Sequence, residues 1–253
     1  MNKKVGVVGS GMMGREISLC FAVAGYEVWL NDTSMEILEN ARGLQSATID
    51  KEIRRGRMSE DTNKEEILNR IHPTTILNDM KDCLIVTEAV SEIVELKQDI
   101  FRQLDLICDA ETFFASNTSS ILITKLQTAV SDERKKKMLG MHYFSPAIVM
   151  KLVEVVKGHM TSQATVDKCL EIAKSIGKIP ITVKDNTGFA VNRIVTIYLD
   201  EAVRLVEEGV ASVEDIDIAC KVGLGFPIGP FEFLDVTDIH LHKLVNDQMV
   251  EEH

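Results

Sequence analysis

Two residues in the middle of the chain have the types and spacing for proton chemistry. His142 follows the apolar run Met138–Met141 and opens the stretch His142-Tyr143-Phe144-Ser145-Pro146. Glu154 is a lone carboxylate in another apolar run, Lys151-Leu152-Val153-Glu154-Val155-Val156. Both runs read as strands. A hairpin joining them has its centre near residue 148, equidistant from His142 and Glu154. That register makes the two side chains cross-strand neighbours on one face. Histidine titrates near neutrality, so it suits taking a proton from an alcohol and returning it. A carboxylate beside it fixes the tautomer and favours the imidazolium. Taken singly, each residue has a plainer account, a strand-end histidine and a solvent-facing glutamate. The matched register favours the pair.

The N-terminus suggests the redox partner for such a step. Gly9, Gly11 and Gly14 form G-x-G-x-x-G directly after the apolar run Val5–Val8. A helix-like segment, Arg15–Ala24, follows and ends at Gly25; the next apolar run, Tyr26–Leu30, closes on Asn31-Asp32. This strand–turn–helix–strand context makes the glycine pattern informative. The first glycine permits the tight turn, the second lets a pyrophosphate approach the backbone, and the third lets the helix pack against the strand. The phosphates then face a helix N-terminus, whose N–H groups and dipole favour negative charge. Asp32 stands eighteen residues after Gly14, where a carboxylate accepts from both ribose hydroxyls and repels a 2′-phosphate. NAD is therefore expected rather than NADP. The plainer account is a glycine-rich turn that binds nothing; both strands and the acid argue against it.

Two further strand ends carry polar groups. Cys83–Thr87 reads as a buried strand followed by Glu88-Ala89-Val90, and Thr112–Ala115 as another ending in Ser116-Asn117-Thr118-Ser119-Ser120. Ligands of open α/β sheets gather outside such carboxyl ends. The serine-rich stretch also suits an N-cap for the helix after it, and five polar residues exceed what one cap requires. Lys51, Arg54, Arg55 and Arg57 cluster around Gly56. They fit either a solvated helix face or a local attraction for an anionic ligand. Lys135-Lys136-Lys137 is assigned to surface.

Composition narrows the class. At 253 residues the chain is long enough for one large or two smaller domains with a real core. A formal charge of −11 argues against nucleic acid or an anionic membrane as partner. Cys20, Cys83, Cys108, Cys169 and Cys220 lack C-x-x-C spacing and lie in apolar patterns, as buried thiols of a reducing compartment do. No metal is expected. No apolar run approaches the roughly 18 residues of a membrane span, and the first strand begins almost at Met1, leaving no room for a signal peptide. A cytoplasmic location is expected.

The remaining elements must position these groups. Ser34 precedes a helical pattern through Ile37, Leu38, Ala41, Leu44, Thr48 and Ile49. Residues 58–72 read as a polar helix, Pro73 as punctuation and Thr74–Leu77 as a short strand. An amphipathic helix is expected over 92–107 and another over 164–176. Ile179–Val183 is the last strand, with Pro180 suggesting a sheet edge. From Phe189 onward the pattern is helical, through Val191, Ile194, Val195, Tyr198, Ala202, Leu205 and Val206 to Gly209. Ser212-Val213-Glu214-Asp215 resembles a capping box, and Pro230 suits the first turn of a further helix. The fold class is α/β: a Rossmann-type doubly wound sheet over 1–186, then a smaller all-α domain over 187–253. Asn192 falls in the first turn of the long helix, at the junction.

With these segments in order, the chain resembles the L-3-hydroxyacyl-CoA dehydrogenases. The matching stretches are GSGMMG, the strand end at Asp32, EAV at 88–90, ASNTSS at 115–120, GMHYFSP at 140–146, KLVEVV at 151–156, DNTGFAVNRI at 185–194 and GLGFPIGPFEFLD at 223–235. The resemblance implies NAD as cofactor and an acyl-CoA thioester as substrate, in fatty-acid or butanoate metabolism. It implies a helical dimerisation domain in a homodimer or larger homo-oligomer. It implies His142 as catalytic base, Glu154 as its partner, and Ser119 and Asn192 as contacts to the substrate oxygen. Cofactor contacts are expected from Gly9, Gly11, Met12, Met13, Gly14, Asp32, Ala89, Glu92, Lys97 and Asn117. Thr48 and Arg55 fall where the family contacts coenzyme A.

Two departures stand out. Ser145 stands where many relatives have asparagine and some have serine, so a contact made by the longer amide is not expected to carry over. The family usually continues beyond the PFEFLD region, whereas this chain stops at His253, which would shorten the helical domain. Three other readings fit the same residues: a non-catalytic, crystallin-like NAD-binding protein, an NAD-sensing module that binds a partner, and a dehydrogenase of hydroxy acids or sugar acids.

Overall fold

Val5, Val7 and Val8 are buried, because the strand they form is central in the sheet and packs into an apolar cluster on each face. This strand, β1 (Lys4–Val8), pairs in parallel with β2 (Glu27–Asn31) on one side and β4 (Ile85–Glu88) on the other. The computed structural model describes residues 3–237. The chain divides into two compact units, residues 1–185 and 186–253. The division falls one residue before the expected boundary, and residues 238–253 of the expected helical domain lie outside the described residues.

The first unit holds one eight-stranded sheet in the order β3-β2-β1-β4-β5-β6-β7-β8. Its other strands are β3 (Ile71–Thr74), β5 (Phe113–Ser116), β6 (Met138–Tyr143), β7 (Leu152–Lys157) and β8 (Ile179–Lys184). The pairings from β3 through β6 are parallel. β7 runs antiparallel to β6, and β8 runs parallel to β7. Helices α1 (Met12–Val23), α2 (Met35–Arg54), α3 (Lys64–Asn69) and α4 (Val94–Ile107) connect strands of the first half. Short helices α5 (Ile123–Gln127) and α6 (Asp132–Lys135) follow β5, and α7 (Gln163–Ser175) joins β7 to β8. Two apolar clusters carry the packing, one around Ile17, Phe21, Leu139 and Val155, the other around Phe101, Leu104, Phe114 and Met138. Strand order reverses between β1 and β4, so their carboxyl ends open the crevice where this topology places ligands.

Three local expectations are corrected. The polar helix expected over 58–72 is only α3, and the strand lies at Ile71–Thr74 with Pro73 inside it. β3 is an edge strand, where a missing N–H costs no ladder bond; the same reason holds for Pro180 in β8 at the opposite edge. The serine-rich stretch 116–120 does not cap the next helix. Instead Asp185 accepts the N–H groups of Ile123 and Thr124, at 2.8 and 2.7 Å, and the Thr124 hydroxyl at 2.6 Å. A distant residue supplies the cap because the chain returns there at the end of β8.

The second unit contains α8 (Val191–Glu207), α9 (Val213–Ile218) and α10 (Pro230–Val236), with a π-helical turn at Ala219–Gly223. Ala202, Ile216 and Cys220 form its core, with Tyr198, Leu205 and Phe231 packed against them. Ser212 caps α9 by accepting the Asp215 N–H. Pro230 opens α10, whose next N–H groups, from Phe231 and Glu232, are accepted by Asp217. Among the described residues no helix is long and apolar enough to cross a membrane.

The Asp185 cap is directly testable. Losing a side-chain cap costs about 0.5–2 kcal/mol, and this one serves two backbone donors. Asp185→Ala should therefore lower the unfolding free energy by about 2 kcal/mol in urea titration; a loss near zero would show that solvent replaces the carboxylate.

Candidate active site

The turn after β1 is shaped by glycine where nothing else fits. Gly9 has φ +93°, donates its N–H to the Asn31 carbonyl at 2.8 Å, and a Cβ there would meet the Ala89 carbonyl oxygen at 2.8 Å. A Cβ on Gly14 would fall 1.7 Å from the Gly9 oxygen, so the third glycine is what lets α1 close on the turn. Gly11 faces open space, and no side chain caps the N-terminus of α1. Met12 is exposed and Met13 half-buried beside it. That leaves the first-turn N–H groups of α1 available for an anion. At the end of β2, Asp32 Oδ2 accepts the Ser10 N–H and hydroxyl, each at 2.7 Å, and Oδ1 accepts the Thr33 N–H at 2.7 Å. Partial burial pushes this carboxyl up, but the Ser10 and Thr33 hydrogen bonds outweigh it and hold the group below its ordinary value. An ionised carboxylate near an uncapped helix N-terminus fits a dinucleotide: ribose hydroxyls to Asp32, pyrophosphate to α1.

Across the crevice, the ends of β4 and β5 carry a connected set of charges. Glu88 and Ser116 are register partners. The Ser116 hydroxyl donates to Glu88 Oε2 at 2.6 Å, while Glu88 Oε1 accepts Lys97 Nζ at 2.6 Å and the Val90 N–H at 2.8 Å. Lys97 is turned inward, with its ammonium also 3.3 Å from the Val90 carbonyl and 3.1 Å from Glu92 Oε2. Glu92 Oε1 accepts the Ser119 N–H at 2.9 Å, the Ser120 N–H and hydroxyl, both at 3.2 Å, and the Thr118 hydroxyl. Burial pushes the Glu92 carboxyl up; the Lys97 charge and the donors from Thr118 and Ser119 outweigh it and leave it below its ordinary value. Ser119 itself is half-buried. Asn117 donates its N–H to the Glu88 carbonyl, and its side-chain oxygen accepts the Tyr143 N–H at 2.9 Å. Ala89 donates its N–H to the Val8 carbonyl.

On β6 and β7 the register sets His142 opposite Glu154. His142 Nδ1 lies 2.8 Å from Glu154 Oε2, and both side chains are almost wholly buried. The antiparallel hairpin brings them together because an even register puts both on one face. The Phe144 ring packs on the imidazole with centroids 4.6 Å apart. A buried carboxylate must be met by donors, and the imidazole Nδ1 stands within hydrogen-bond distance to be one of them.

A separate cavity of about 340 Å³ is lined by Thr48, Lys51, Arg55 and Arg57 from α2 and the turn after it, and by Pro146 and Val149 from the β6–β7 connection. Arg57 is paired with Glu52 at 2.7 Å. Lys51 and Arg55 are exposed and make no ion pair among the described residues. Asn192, in the second unit, is the second residue of α8 and is half-buried. The sequence marks Glu88 and Ser116 as polar groups at strand ends without giving either a partner, and Glu16 carries no signal of its own. Glu88 ends an apolar strand, a signal as visible as that of Glu154, but its partners lie on a later helix and the next strand. Glu16 accepts the Ala147 N–H, tying α1 to the β6–β7 connection.

Comparison with known proteins gives this arrangement its relatives. Residues 4–186 match the family described as 3-hydroxyacyl-CoA dehydrogenase, NAD binding domain, and residues 188–253 match its C-terminal domain. The chain belongs to the 3-hydroxyacyl-CoA dehydrogenase family. It is 40% identical over 236 residues to the 3-hydroxybutyryl-CoA dehydrogenase of Clostridioides difficile, covering 93% of this chain and 83% of that one. It is 40% identical over 250 residues to the mitochondrial hydroxyacyl-coenzyme A dehydrogenase of Sus scrofa, covering 97% and 79%. The crystal structure of (S)-3-hydroxybutyryl-CoA dehydrogenase from Ralstonia eutropha superposes with a TM-score of 0.94 at 37% identity, over 100% of this chain and 88% of the other. The family's NAD-binding domain and the uncapped turn at Gly11 agree on NAD as cofactor.

The Glu92 cage makes stability depend on pH. Because its folded-state value lies below the ordinary 4.5, its contribution is full above that pH and is lost as pH falls through the folded value. Glu92→Gln should be less stable than the parent at about pH 7, with the gap closing as pH drops below 4.5. Urea unfolding across that range measures it, and a pH-independent gap would mean that the charge contributes nothing.

Proposed function

We propose that this chain interconverts (S)-3-hydroxyacyl-CoA and 3-oxoacyl-CoA, with His142 moving the proton. The observation that carries the reading is the buried contact of 2.8 Å between His142 and Glu154, at the end of a dinucleotide-type sheet. Bound NAD supplies the acceptor for the electrons and hydrogen that leave the alcohol carbon. Glu154 accepts Nδ1–H, which selects the tautomer whose Nε2 takes the hydroxyl proton. As His142 becomes an imidazolium, Glu154 stabilises the charge that forms. Ser119 orients the reacting oxygen by hydrogen bonding. In the reverse direction the imidazolium returns the proton to the oxygen of the 3-oxo group. Asp32, the glycine turn with Met12 and Met13, Ala89, Glu92 and Asn117 form the cofactor side; Lys97 supports it from behind.

The cavity beside α2 fits the nucleotide end of coenzyme A. Lys51 and Arg55 supply positive charge at its rim on a chain whose net charge is −11, so the attraction is local. Thr48 and Arg55 are the proposed contacts. The exposed Ile194 and Ile197 of α8 support a second copy of the chain as partner, in a homodimer or larger homo-oligomer. A cytoplasmic location agrees with its free, buried cysteines.

Loss of general-base catalysis costs roughly 10²–10⁴ in rate. His142→Gln should lower kcat for NADH-dependent reduction of acetoacetyl-CoA by that order while leaving NADH affinity nearly unchanged. Glu154→Gln should lower kcat too, and the double variant should be little worse than His142→Gln, since groups acting as a unit are not additive. Near-full activity of His142→Gln would sink the mechanism. Absence of turnover in the parent protein would favour a non-catalytic NAD-binding role.

Arg55→Glu should raise KM for an acyl-CoA more than for a truncated pantetheine thioester. The difference should be greatest at low ionic strength, because exposed charges are screened over about 10 Å at 0.1 M salt. Equal effects on both substrates would make the cluster a solvated helix face.

A further inference from the structure

Glu88 is wholly buried at the last position of β4, and it has no part in the chemistry described above. A buried carboxylate is an expensive way to fill space, and an apolar side chain of similar size is often at least as stabilising. What the charge gives is direction. Its two oxygens hold Lys97, the Val90 N–H and the Ser116 hydroxyl. The ammonium of Lys97 has three donors, and three oxygens lie within reach: Glu88 Oε1, the Val90 carbonyl and Glu92 Oε2. Two of these belong to the buried end of β4 and the turn after it, so they fix where the ammonium sits. The third reaches outward to Glu92, whose other oxygen gathers the Ser119 and Ser120 amides. Those two amides are outside any helix or strand; this carboxylate accepts both of them, and the Thr118 hydroxyl oxygen shares the Ser120 N–H at 3.3 Å.

We propose that Glu88 is a positioning residue: through Lys97 and Glu92 it sets the backbone of Ser119 and Ser120, and with it the Ser119 hydroxyl. The inference rests on the dehydrogenase reading above for the role of that hydroxyl. It assigns Lys97 to the same device, as the link that transmits the position of Glu88 and not as a group that must leave its partners to meet the cofactor. Ser116 belongs to it as well, locking the second Glu88 oxygen against β5.

The test uses the full chain with Glu88→Gln, which keeps the shape and removes the charge, and reads amide exchange alongside kinetics. An ionic hydrogen bond lost from the chain should speed exchange of the Ser119 and Ser120 amides by about 10-fold, while amides within β4 and β5 keep their protection. The kcat for acetoacetyl-CoA reduction should fall by about 10-fold with KM for NADH changed by less than about 3-fold. Exchange quickened equally throughout β4, α4 and β5 would overturn the proposal, because Glu88 would then only hold the fold. Unchanged exchange at the two serines would overturn it as well. Ser116→Ala removes one donor to Glu88 and keeps every charge, so it serves if Glu88→Gln does not fold. It should give the same localised change at smaller amplitude, and no change would overturn the proposal. Exchange is read without substrate or cofactor. A parent protein that binds NADH but turns over no acyl-CoA would therefore sink the dehydrogenase reading, while the exchange data still decide whether Glu88 controls Ser119.

Discussion

A carboxylate shut away from water must be met by donors, and this constraint governs both sides of the site. Glu88 and Glu154 are completely buried, each on a strand of the same sheet. The desolvation of such a group exceeds what one contact returns unless its geometry is good. Glu154 is met by the imidazole of His142, and Glu88 by an ammonium, a hydroxyl and a backbone N–H. Each partner is thereby held in one orientation. The charges contribute less to net stability than to the placement of the groups around them.

The sheet supplies the two places where such groups are useful. Between β1 and β4 the strand order reverses, and the carboxyl ends diverge to leave room for a ligand. The glycine turn closes that end tightly enough that a side chain on Gly14 would strike backbone. Between β6 and β7 the sheet changes direction, and an antiparallel pair puts residues from two strands in register on one face. A parallel pair with a long crossover would not bring residues twelve apart in sequence into contact. The fold thus separates the glycine turn from the His142–Glu154 pair while keeping both on one rigid sheet.

The chain's own sequence carries much of this. His142 and Glu154 flank a short connection between apolar runs, so their register follows from counting. The glycine turn and Asp32 follow from local backbone demands and a fixed strand–helix–strand length. The expected edge position of β8 follows from Pro180, which lacks a ladder donor. Other features were misread for a physical reason. Pro73 suggested a break because an isolated reading weighs its missing N–H without knowing that β3 has solvent on its outer edge. The serine-rich stretch suggested a cap, whereas Asp185, more than sixty residues on, occupies that role.

Sequence alone determined most of the elements, their periodicity, the dinucleotide turn and the register of the histidine–carboxylate pair, because each depends on neighbours within one strand–turn unit. Tertiary structure decided the rest. It chose which groups meet Glu88, turned Lys97 inward, gave Glu92 the Ser119 and Ser120 amides, and closed a cavity beside Arg55 with the β6–β7 connection. Those contacts join segments far apart in the chain, and hydrogen-bond geometry across such distances is fixed only once the sheet has brought the strand ends side by side.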